Sequence, residues 1–412
     1  MTVAMEKTEA VGMSKSRLER IRPAMQSYVD RGVYAGVSTL IARRGQIVHA
    51  EQVGWRDKEA RAPMSADTIF RLYSMTKPIV CAALMTLFEE GRFTLFDAVA
   101  KYIPAFGKVK VLQPDGSLID PVRPMNVRDV MSHTSGLSYS FLEDTPVSRM
   151  YERSKLFDAT CPLKESIEDL AEFPLAYQPG AHWHYSVGID VAARLIEVIS
   201  GKGLGDFLRE RLFEPLSMKD TGFGVPTDKR DRLASMYGRP DVNAPGVTHS
   251  IEFEAWRRGV NDKLDVSKTY PVDRPDVFVR GGHGLFGTIG DYYRFAQMLA
   301  NGGELDGQRV IGRKTLELMH ANCLPASLIP IEIGGMPLMG YGFGLGSRVL
   351  LDVAQSGAPG SVGEFGWAGA AKTHYWVDPK EQVVGLFMTQ SMISFDLPEL
   401  ALRALAYQAI VD

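Results

Sequence analysis

Segments with the pattern of β-strands occur near both ends of the chain, and segments with the pattern of helices lie between them. Near the amino terminus, two β-branched segments, 36–45 and 46–55, predict a hairpin that turns at Arg43-Arg44-Gly45. Near the carboxyl terminus, strands are predicted at 341–351, 364–377 and 383–390. The simplest architecture that fits is one sheet built from both termini, with a mainly helical region inserted between its halves.

The inserted region opens with a strong helical pattern over 76–90, whose apolar residues share one face. Pro78 is tolerated only in the first turn of a helix, so this helix must begin near Ser74. Residues 224–280 are rich in proline and charge, which is typical of long loops. Further helical patterns occur at about 127–133, 166–173, 187–200, 203–213, 288–301 and 397–410.

We therefore predict an α+β chain with two parts. Residues 1–73 and 286–412 together form a discontinuous sheet domain, and residues 74–285 form a mainly helical domain with long loops. A functional site is expected in the cleft between the two parts, because small-molecule sites occur preferentially at such junctions. We expect the loops at 138–165 and 224–280 to shape that site.

Composition and charge exclude several functional classes. The chain has 46 basic and 49 acidic residues and a net charge of −3, without the basic excess of nucleic-acid-binding proteins. Its longest apolar stretch, 79–88, is about half of a membrane span, so no membrane partner is expected. The first residues include Glu6 and Glu9 and lack an apolar core, which predicts no signal peptide and a cytoplasmic location. No metal site or disulfide framework is predicted from the spacing of the cysteines, Cys81, Cys161 and Cys323.

The residues Ser74-Met75-Thr76-Lys77 form the only Ser-x-x-Lys pattern in the sequence, and they lie where a strand pattern meets a helix. Residues three apart share one face of a helix, so the Lys77 amine can reach the Ser74 hydroxyl. A serine hydroxyl becomes a good nucleophile when a base removes its proton, and a neutral lysine is such a base. The alternative is an ordinary helix start with a solvated lysine.

Two further features contain residue types that serve acid–base and acyl-transfer chemistry. Tyr185, in His184-Tyr185-Ser186, precedes a predicted helix and would exchange protons if a lysine ammonium lay near its hydroxyl. The segment Gly366-Trp367-Ala368-Gly369-Ala370-Ala371 lies on a predicted strand, where small residues let a substrate approach the backbone amides. Each pattern alone also fits a structural role, as a half-buried tyrosine or as a strand packed against a helix.

Other patterns favour structural roles. The residues Gly282–Gly287 match the GxGxxG pattern, but no βαβ unit with an acidic ribose-binding residue follows, so dinucleotide binding is not expected. His182 and His184 alternate as metal ligands on a strand do, but no third ligand is evident. His133 and Ser135 are two residues apart and poorly placed to interact, which favours a turn. The chain lacks a GxSxG pattern, and this argues against an α/β-hydrolase fold.

The order of these motifs resembles that of the family VIII carboxylesterases. Those enzymes look like class C β-lactamases and penicillin-binding proteins, and so do other serine hydrolases of that superfamily, including statin-type acyltransferases. The resemblance covers most of the chain and rests on five segments in the same order: RLYSMTKPIV, DVMSHTSGL, HYSVGIDVAARLIEVISG, GGHGLFGTIGDYYRFAQMLANGG and GWAGAAKTHYWVDP.

The resemblance implies a β-lactamase/transpeptidase-like fold, with an antiparallel sheet flanked by helices, and an activity that needs no cofactor. By position, Ser74 would be the nucleophile, and Lys77 and Tyr185 would share proton transfer. The backbone amides of Ser74 and Ala370 would form the oxyanion hole. Trp367 and Gly369 would line the substrate site.

Two departures from the β-lactamase pattern concern substrate charge. The third β-lactamase motif begins with a lysine that favours a substrate carboxylate, and Trp367 takes that place here. The second motif is Tyr-x-Asn, and Val187 replaces the asparagine. Because both changes remove polar groups, they disfavour an anionic β-lactam and favour a neutral ester, as in the esterase branch.

The sequence therefore predicts a Ser-Lys-Tyr serine hydrolase that cleaves small carboxylic esters through an acyl-enzyme. Three alternatives stay open at this point: an acyltransferase of the same fold, a β-lactamase or D-amino-acid peptidase, and a non-catalytic ligand-binding sensor. The presence of Ser74, Lys77 and Tyr185 together argues against the sensor, because binding alone does not require all three.

Overall fold

The computed structural model describes residues 8–142, 145–238, 240–244, 246–247, 262–392 and 398–412. The strands in chain order are β1 (Gly36–Arg43), β2 (Gln46–Asp57), β3 (Ala62–Pro63), β4 (Ile69–Arg71), β5 (Val111–Leu112), β6 (Leu118–Ile119), β7 (Met236–Tyr237), β8 (Lys263–Leu264), β9 (Phe286–Thr288), β10 (Glu304–Leu305), β11 (Gln308–Arg309), β12 (Ile331–Ile333), β13 (Met336–Leu338), β14 (Tyr341–Phe343), β15 (Arg348–Leu350), β16 (Phe365–Gly369), β17 (Thr373–Asp378) and β18 (Val383–Met388). The α-helices are α1 (Lys15–Leu18), α2 (Ile21–Asp30), α3 (Thr76–Glu89), α4 (Val127–Met131), α5 (Pro146–Met150), α6 (Leu163–Leu170), α7 (Gly188–Ser200), α8 (Leu204–Leu208), α9 (Ile289–Ala300), α10 (Arg313–Met319), α11 (Val353–Ser356) and α12 (Pro398–Tyr407).

The main sheet has eight strands in the order β14-β15-β16-β17-β18-β1-β2-β3, and every neighbouring pair is antiparallel. The first and last long strands meet near its middle, where Ser38 of β1 lies opposite Met388 of β18 and Arg43 lies opposite Val383. The predicted antiparallel sheet built from both ends of the chain is therefore confirmed.

Both faces of the central strands are buried. On one face, alternate residues of β1 and β18, such as Ile41 and Phe387, pack with the apolar faces of α2 and α12. On the other face, residues such as Leu40 and Leu386 belong to the large core that includes α3, α7 and α9. This double burial explains why β1 is apolar along most of its length rather than alternating, as a half-exposed strand would be.

Helix α3 lies at the centre of the helical part of the molecule. Its residues from Thr76 to Leu87 are buried, and apart from Lys77 and two threonines they are apolar on all sides, as expected of an enclosed helix. Pro78 lies in its first turn, where its missing amide hydrogen is not needed, so the predicted helix start is confirmed. Helix α7 packs along α3. Helix α4 approaches α7 so closely that a Cβ at Gly188 of α7 would lie 2.5 Å from the carbonyl oxygen of Val130 in α4.

A small two-stranded sheet joins distant segments next to α3. Strand β4, which leads into this helix, pairs antiparallel with β9, with Phe70 opposite Gly287. The pairing lies where the sequence predicts the junctions between the sheet domain (1–73, 286–412) and the helical domain (74–285). The division of the chain into those two domains stays a prediction.

Two of the predicted strands are each a pair of strands. The segment 341–351 is the hairpin β14–β15, and the segment 364–377 is the hairpin β16–β17. The turn of the second hairpin is Ala370-Ala371-Lys372, with Lys372 in the left-handed region at φ 59°. The prediction that Ala370 and Ala371 lie on a strand was wrong, because this turn lacks the glycine, asparagine or proline that usually marks one.

Parts of three predicted segments lie outside the described residues. They are residues 143–144 of the loop 138–165, residues 239, 245 and 248–261 of the long segment 224–280, and Leu397 at the start of the last predicted helix. In the parts of the chain that the structure describes, every helix is too short or too polar to cross a lipid bilayer.

A buried ion pair attaches the last helix to the sheet. The Arg403 guanidinium of α12 donates to both carboxylate oxygens of Glu364, over 2.7 and 2.8 Å. Both side chains are only 1% exposed, and the Tyr407 hydroxyl donates to Asp378 of β17 over 2.8 Å and lies 3.2 Å from Glu364. An unpaired charge left there would have no water to solvate it, so each partner needs the other.

We expect Arg403→Met to lower the free energy of unfolding by roughly 3–5 kcal/mol, because it leaves the Glu364 carboxylate buried without its partner. Urea denaturation followed by circular dichroism measures this loss. The matched control is Arg313→Ala, which breaks the exposed pair with Glu317 and should cost about 1 kcal/mol or less. Equal losses in the two variants would contradict the assigned role of the buried pair.

Candidate active site

Ser74 lies in a tight 3₁₀ turn, Tyr73–Met75, between β4 and α3. Tyr73 has a φ of 46°, a left-handed conformation that costs a non-glycine residue free energy and persists only where the surroundings enforce it. Tyr73 and Met75 are buried, whereas Ser74 is partly exposed. The turn therefore presents the Ser74 hydroxyl at the surface of an otherwise buried segment.

Lys77, one helical turn later, is only 1% exposed and reaches the serine as the spacing predicts. Its Nζ lies 3.0 Å from Ser74 Oγ and donates to the Gly282 carbonyl oxygen over 2.7 Å. The same nitrogen lies 4.8 Å from the ring centre of Tyr185 and 5.2 Å from that of Tyr139. Two polar contacts and two aromatic faces hold the amine in one position despite its burial.

Tyr185 approaches Ser74 from the segment just before α7. Its hydroxyl donates to Ser74 Oγ over 2.8 Å, and the side chain is 5% exposed. The structure thus brings Ser74, Lys77 and Tyr185 together, although Tyr185 is more than a hundred residues away from the other two in sequence.

His133 holds the segment that carries Tyr185. Its carbonyl oxygen accepts from the His184 amide over 2.8 Å, and its Nδ1 lies 3.2 Å from the Ser186 amide nitrogen, which donates to it. Its ring centre is 4.7 Å from that of Tyr185. Burial, reinforced by the nearby Lys77 charge, holds the pKa of His133 well below its usual value, so the ring is neutral. The predicted structural role of the His133 turn fits these contacts.

The end of β16 lies against the turn that carries Ser74. A Cβ on Gly369 would lie only 2.4 Å from the Leu72 carbonyl oxygen, so only glycine fits there, and Thr373 Oγ1 donates to the same oxygen over 3.2 Å. Among the described residues, the amides of Ser74 and Ala370 meet no hydrogen-bond acceptor. Two backbone donors on adjacent segments are thus available to a ligand.

Trp367 forms an aromatic wall beside Tyr185. The ring centres of the two residues are 5.6 Å apart, and Phe343 packs edge-on against Trp367 at 5.2 Å. Trp367 is 4% exposed, and its indole nitrogen has no hydrogen-bond partner among the described residues. Trp367, the predicted apolar replacement for the lysine of the β-lactamase motif, therefore lies directly beside Tyr185.

The glycine-rich segment and the histidine pair, which the sequence analysis assigned to structural roles, both form contacts within the fold. In the glycine-rich segment Gly282–Gly287, the Gly282 carbonyl holds Lys77, and the Gly284 amide donates to the Tyr270 hydroxyl over 2.8 Å. His184 Nε2 lies 2.9 Å from Ser138 Oγ, and His182 packs against the Tyr177 ring. Within the described ranges, no three histidine, cysteine or acidic side chains converge as metal ligands.

Sequence patterns alone missed three residues close to Lys77, namely Tyr139, Asp190 and Gly282. None belongs to a local motif with Ser74, because only tertiary packing brings Tyr139 and Gly282 into contact with Lys77 and bonds Asp190 to the Gly282 amide. One available signal was the succession of small residues in Gly281-Gly282-His283-Gly284, which indicates close approach of the backbone to another element.

Residues 21–409 match the Beta-lactamase family, which is nearly the whole chain. The chain belongs to this family. Its relatives include Protein Rv1367c of Mycobacterium tuberculosis (strain ATCC 25618 / H37Rv), 33% identical over 387 residues, which are 90% of each chain. Esterase EstB of Burkholderia gladioli is 30% identical over 349 residues, covering 83% of this chain and 82% of the relative.

A solved structure of the same fold is that of EstCE1, described as a hydrolase with promiscuous acyltransferase activity. It superposes with a TM-score of 0.78 at 25% sequence identity, covering 95% of this chain and 99% of its own. The resemblance and the fold predicted from sequence are both confirmed. The chain is a member of the Beta-lactamase family of serine hydrolases with esterase homologues.

Burial of neutral histidines in this family member makes its stability depend on pH. A histidine whose pKa is lowered by folding takes up protons more readily when unfolded, so its contribution is complete above about pH 6.5 and is lost as the pH falls. We expect His133→Asn to flatten the acid-side fall of the melting temperature, since asparagine does not titrate and its oxygen can accept from the Ser186 amide.

Differential scanning fluorimetry of the wild type and His133→Asn, measured as the pH falls below about 6.5, tests this expectation. His182→Asn is the matched control because His182 is exposed and its replacement removes no burial cost. A wild-type slope in His133→Asn would show that protonation of His133 does not limit acid stability.

Proposed function

We propose that the protein is a serine esterase that hydrolyses small carboxylic esters through an acyl-enzyme on Ser74. One observation carries the proposal: Ser74 Oγ lies 3.0 Å from the Lys77 amine and 2.8 Å from the Tyr185 hydroxyl. A serine becomes reactive when groups able to accept its proton lie within hydrogen-bond distance. The 30% identity with Esterase EstB supports the same substrate class.

In the acylation step, Ser74 Oγ attacks the ester carbonyl carbon while its proton passes to the Lys77–Tyr185 pair. The carbonyl π electrons move onto oxygen, and the Ser74 and Ala370 amides donate to this oxyanion. When the tetrahedral intermediate collapses, the bond to the leaving oxygen breaks, and Tyr185 returns the proton to the departing alcohol.

Deacylation uses the same groups in reverse. Water attacks the acyl carbon and gives a proton to the Lys77–Tyr185 pair, and the acid leaves as Ser74 regains its hydrogen. These reaction steps need only the ester, water, and side chains and backbone amides of the protein, so the proposed reaction uses no metal or organic cofactor.

The surroundings of Ser74 favour a neutral ester over a β-lactam. Trp367 and Val187 are both buried apolar residues at positions where the β-lactamase motifs carry a lysine and an asparagine. An anionic β-lactam would find neither the cation nor the amide at these two positions. β-Lactam or D-amino-acid peptide cleavage is therefore the weaker alternative, and a chromogenic cephalosporin is the probe that tests it.

Acyl transfer is the stronger alternative because it shares every step of acylation. An alcohol or amine in place of water would take the acyl group from Ser74, and only access to the acyl-enzyme decides between the acceptors. The description of EstCE1 as a hydrolase with promiscuous acyltransferase activity supports both outcomes in one site. A sensor function has no comparable support, because binding alone does not need Ser74, Lys77 and Tyr185 together.

We expect Ser74→Ala to lower hydrolysis of a short-chain p-nitrophenyl ester by roughly 10³-fold or more, since it removes the nucleophile. Tyr185→Phe should lose about 10²–10⁴-fold, the usual contribution of a positioned acid–base group. Tyr293→Phe is the matched control, because its hydroxyl bonds the Gly45 carbonyl oxygen away from the site. Full activity in Ser74→Ala would overturn the proposal.

Acyl transfer is tested by adding a primary alcohol and measuring the ratio of transferred to hydrolysed acyl group. A shared acyl-enzyme predicts the same ratio for esters with one acyl group but different leaving alcohols, because the leaving alcohol departs before the acceptor enters. A ratio that changes with the leaving group would contradict a common intermediate.

A further inference from the structure

Asp190, in the first turn of α7, is a fully buried carboxylate that the proposed reaction steps do not use. Its Oδ1 accepts from the Gly282 amide over 2.9 Å. A carboxylate in a first helical turn commonly bonds its own helix. Here the bond runs to a different segment, the one whose Gly282 carbonyl holds Lys77.

The fit between this carboxylate and the glycine segment is close. A Cβ at Gly281 would lie 2.2 Å from the Ile189 carbonyl oxygen. A Cβ at Gly282 would lie 2.4 Å from Asp190 Oδ2 and 2.7 Å from the Tyr139 hydroxyl. Glycine at both positions lets Asp190 and Tyr139 approach the segment that holds Lys77.

Apart from Lys77, the polar side chains around Asp190 are either bonded elsewhere or neutral. Arg280, also fully buried, donates to four backbone carbonyl oxygens, those of Leu156, Asp158, Cys161 and Val279. His133 and His283 are neutral, because burial holds the pKa of each well below its usual value. Burial raises the pKa of the Tyr139 phenol, which is therefore also neutral.

The Asp190 carboxylate thus interacts electrostatically with Lys77 of α3, with Arg280 just before Gly281, and with Tyr139 of the loop after α4. Its Oδ2 has no hydrogen-bond partner among the described residues. Burial raises the pKa of Asp190, whereas the hydrogen bond from the Gly282 amide and the charges of Lys77 and Arg280 act in the opposite direction. A buried carboxylate with one unpartnered oxygen is costly, and such groups are retained where they serve a site.

We propose that Asp190 is a positioning residue for Lys77, fixing the Gly281–Gly282 backbone that holds the amine and supplying a negative charge that stabilises the amine once it has taken the Ser74 proton. This inference rests on the proposed function, since it assigns Asp190 a part in activating Ser74 through Lys77. Asp190 does not contact Ser74 and acts only through the Gly281–Gly282 backbone and Lys77, so we expect its effect on the rate of proton transfer and not on ester binding.

The decisive variant is Asp190→Asn, which keeps an oxygen able to accept from the Gly282 amide and removes the charge. We expect kcat for a p-nitrophenyl ester to fall about 10- to 100-fold with little change in KM. Losses of this size are usual for residues that orient a reacting group without reacting themselves. Loss of a nearby negative charge makes the Ser74–Lys77–Tyr185 group easier to deprotonate. The acid limb of the kcat/KM profile should therefore move to lower pH, on the order of one unit.

Asp291→Asn is the matched control. Asp291 is also a buried carboxylate in a first helical turn, with a pKa raised by burial, and it accepts from the Asp220 amide over 2.8 Å. Its replacement costs stability of the same kind, but we expect the wild-type pH profile to be retained. Melting temperatures of both variants separate loss of fold from loss of rate.

A second readout is the rate at which a p-nitrophenyl phosphonate labels Ser74, followed by intact mass, since this needs only an activated serine. Slower labelling of Asp190→Asn than of Asp291→Asn, at equal melting temperature, supports the inference. The inference is overturned if Asp190→Asn keeps the wild-type labelling rate and the wild-type acid limb. If Asp190→Asn does not fold, Asp190→Glu, which retains the charge, is compared with Asp190→Ala. Labelling of Asp190→Glu that is no faster than that of Asp190→Ala also overturns the inference. If the wild type neither hydrolyses the ester nor is labelled, the proposed function fails first, and this inference fails with it.

Discussion

The burial of the Lys77 amine is the constraint on which the rest of the site depends. An amine with 1% exposure must find polar partners inside the protein, and it finds them in Ser74 Oγ and the Gly282 carbonyl. This requirement fixes the first turn of α3 on one side and the glycine-rich segment on the other. Tyr185 then completes the group from a third segment, with its ring beside the amine and its hydroxyl on Ser74.

Strand pairing brings these three segments together from distant parts of the sequence. The β1–β18 pairing joins the two ends of the chain, and the β4–β9 pairing places the residues before Ser74 beside those after Gly282. The end of β16 reaches the same place because Gly369 has no side chain to separate it from Leu72. The strained Tyr73 conformation persists because all of these contacts converge on one short turn.

Much of this arrangement follows from local signals in the sequence. The Ser74–Lys77 spacing and the first-turn position of Pro78 predict the start of α3, and apolar patterns at both ends predict the shared sheet. The turn at Ala370-Ala371-Lys372 escapes prediction because its left-handed residue is a lysine, held there by the surrounding hairpin. Asp190 and Tyr139 escape it for another reason: their proximity to Lys77 depends on how α7 and the loop after α4 pack against α3, which no short motif encodes.

The glycines at 281 and 282 connect the packing of the fold with its chemistry. Gly282 begins a GxGxxG pattern of the kind found in dinucleotide-binding proteins, yet what the two glycines allow here is close contact with the Ile189 carbonyl and the Asp190 carboxylate. A side chain at either position would separate α7 from the segment that holds Lys77, and the amine would lose its carbonyl partner. The same absence of side chains that permits tight helix packing therefore also determines where the buried amine lies relative to Ser74.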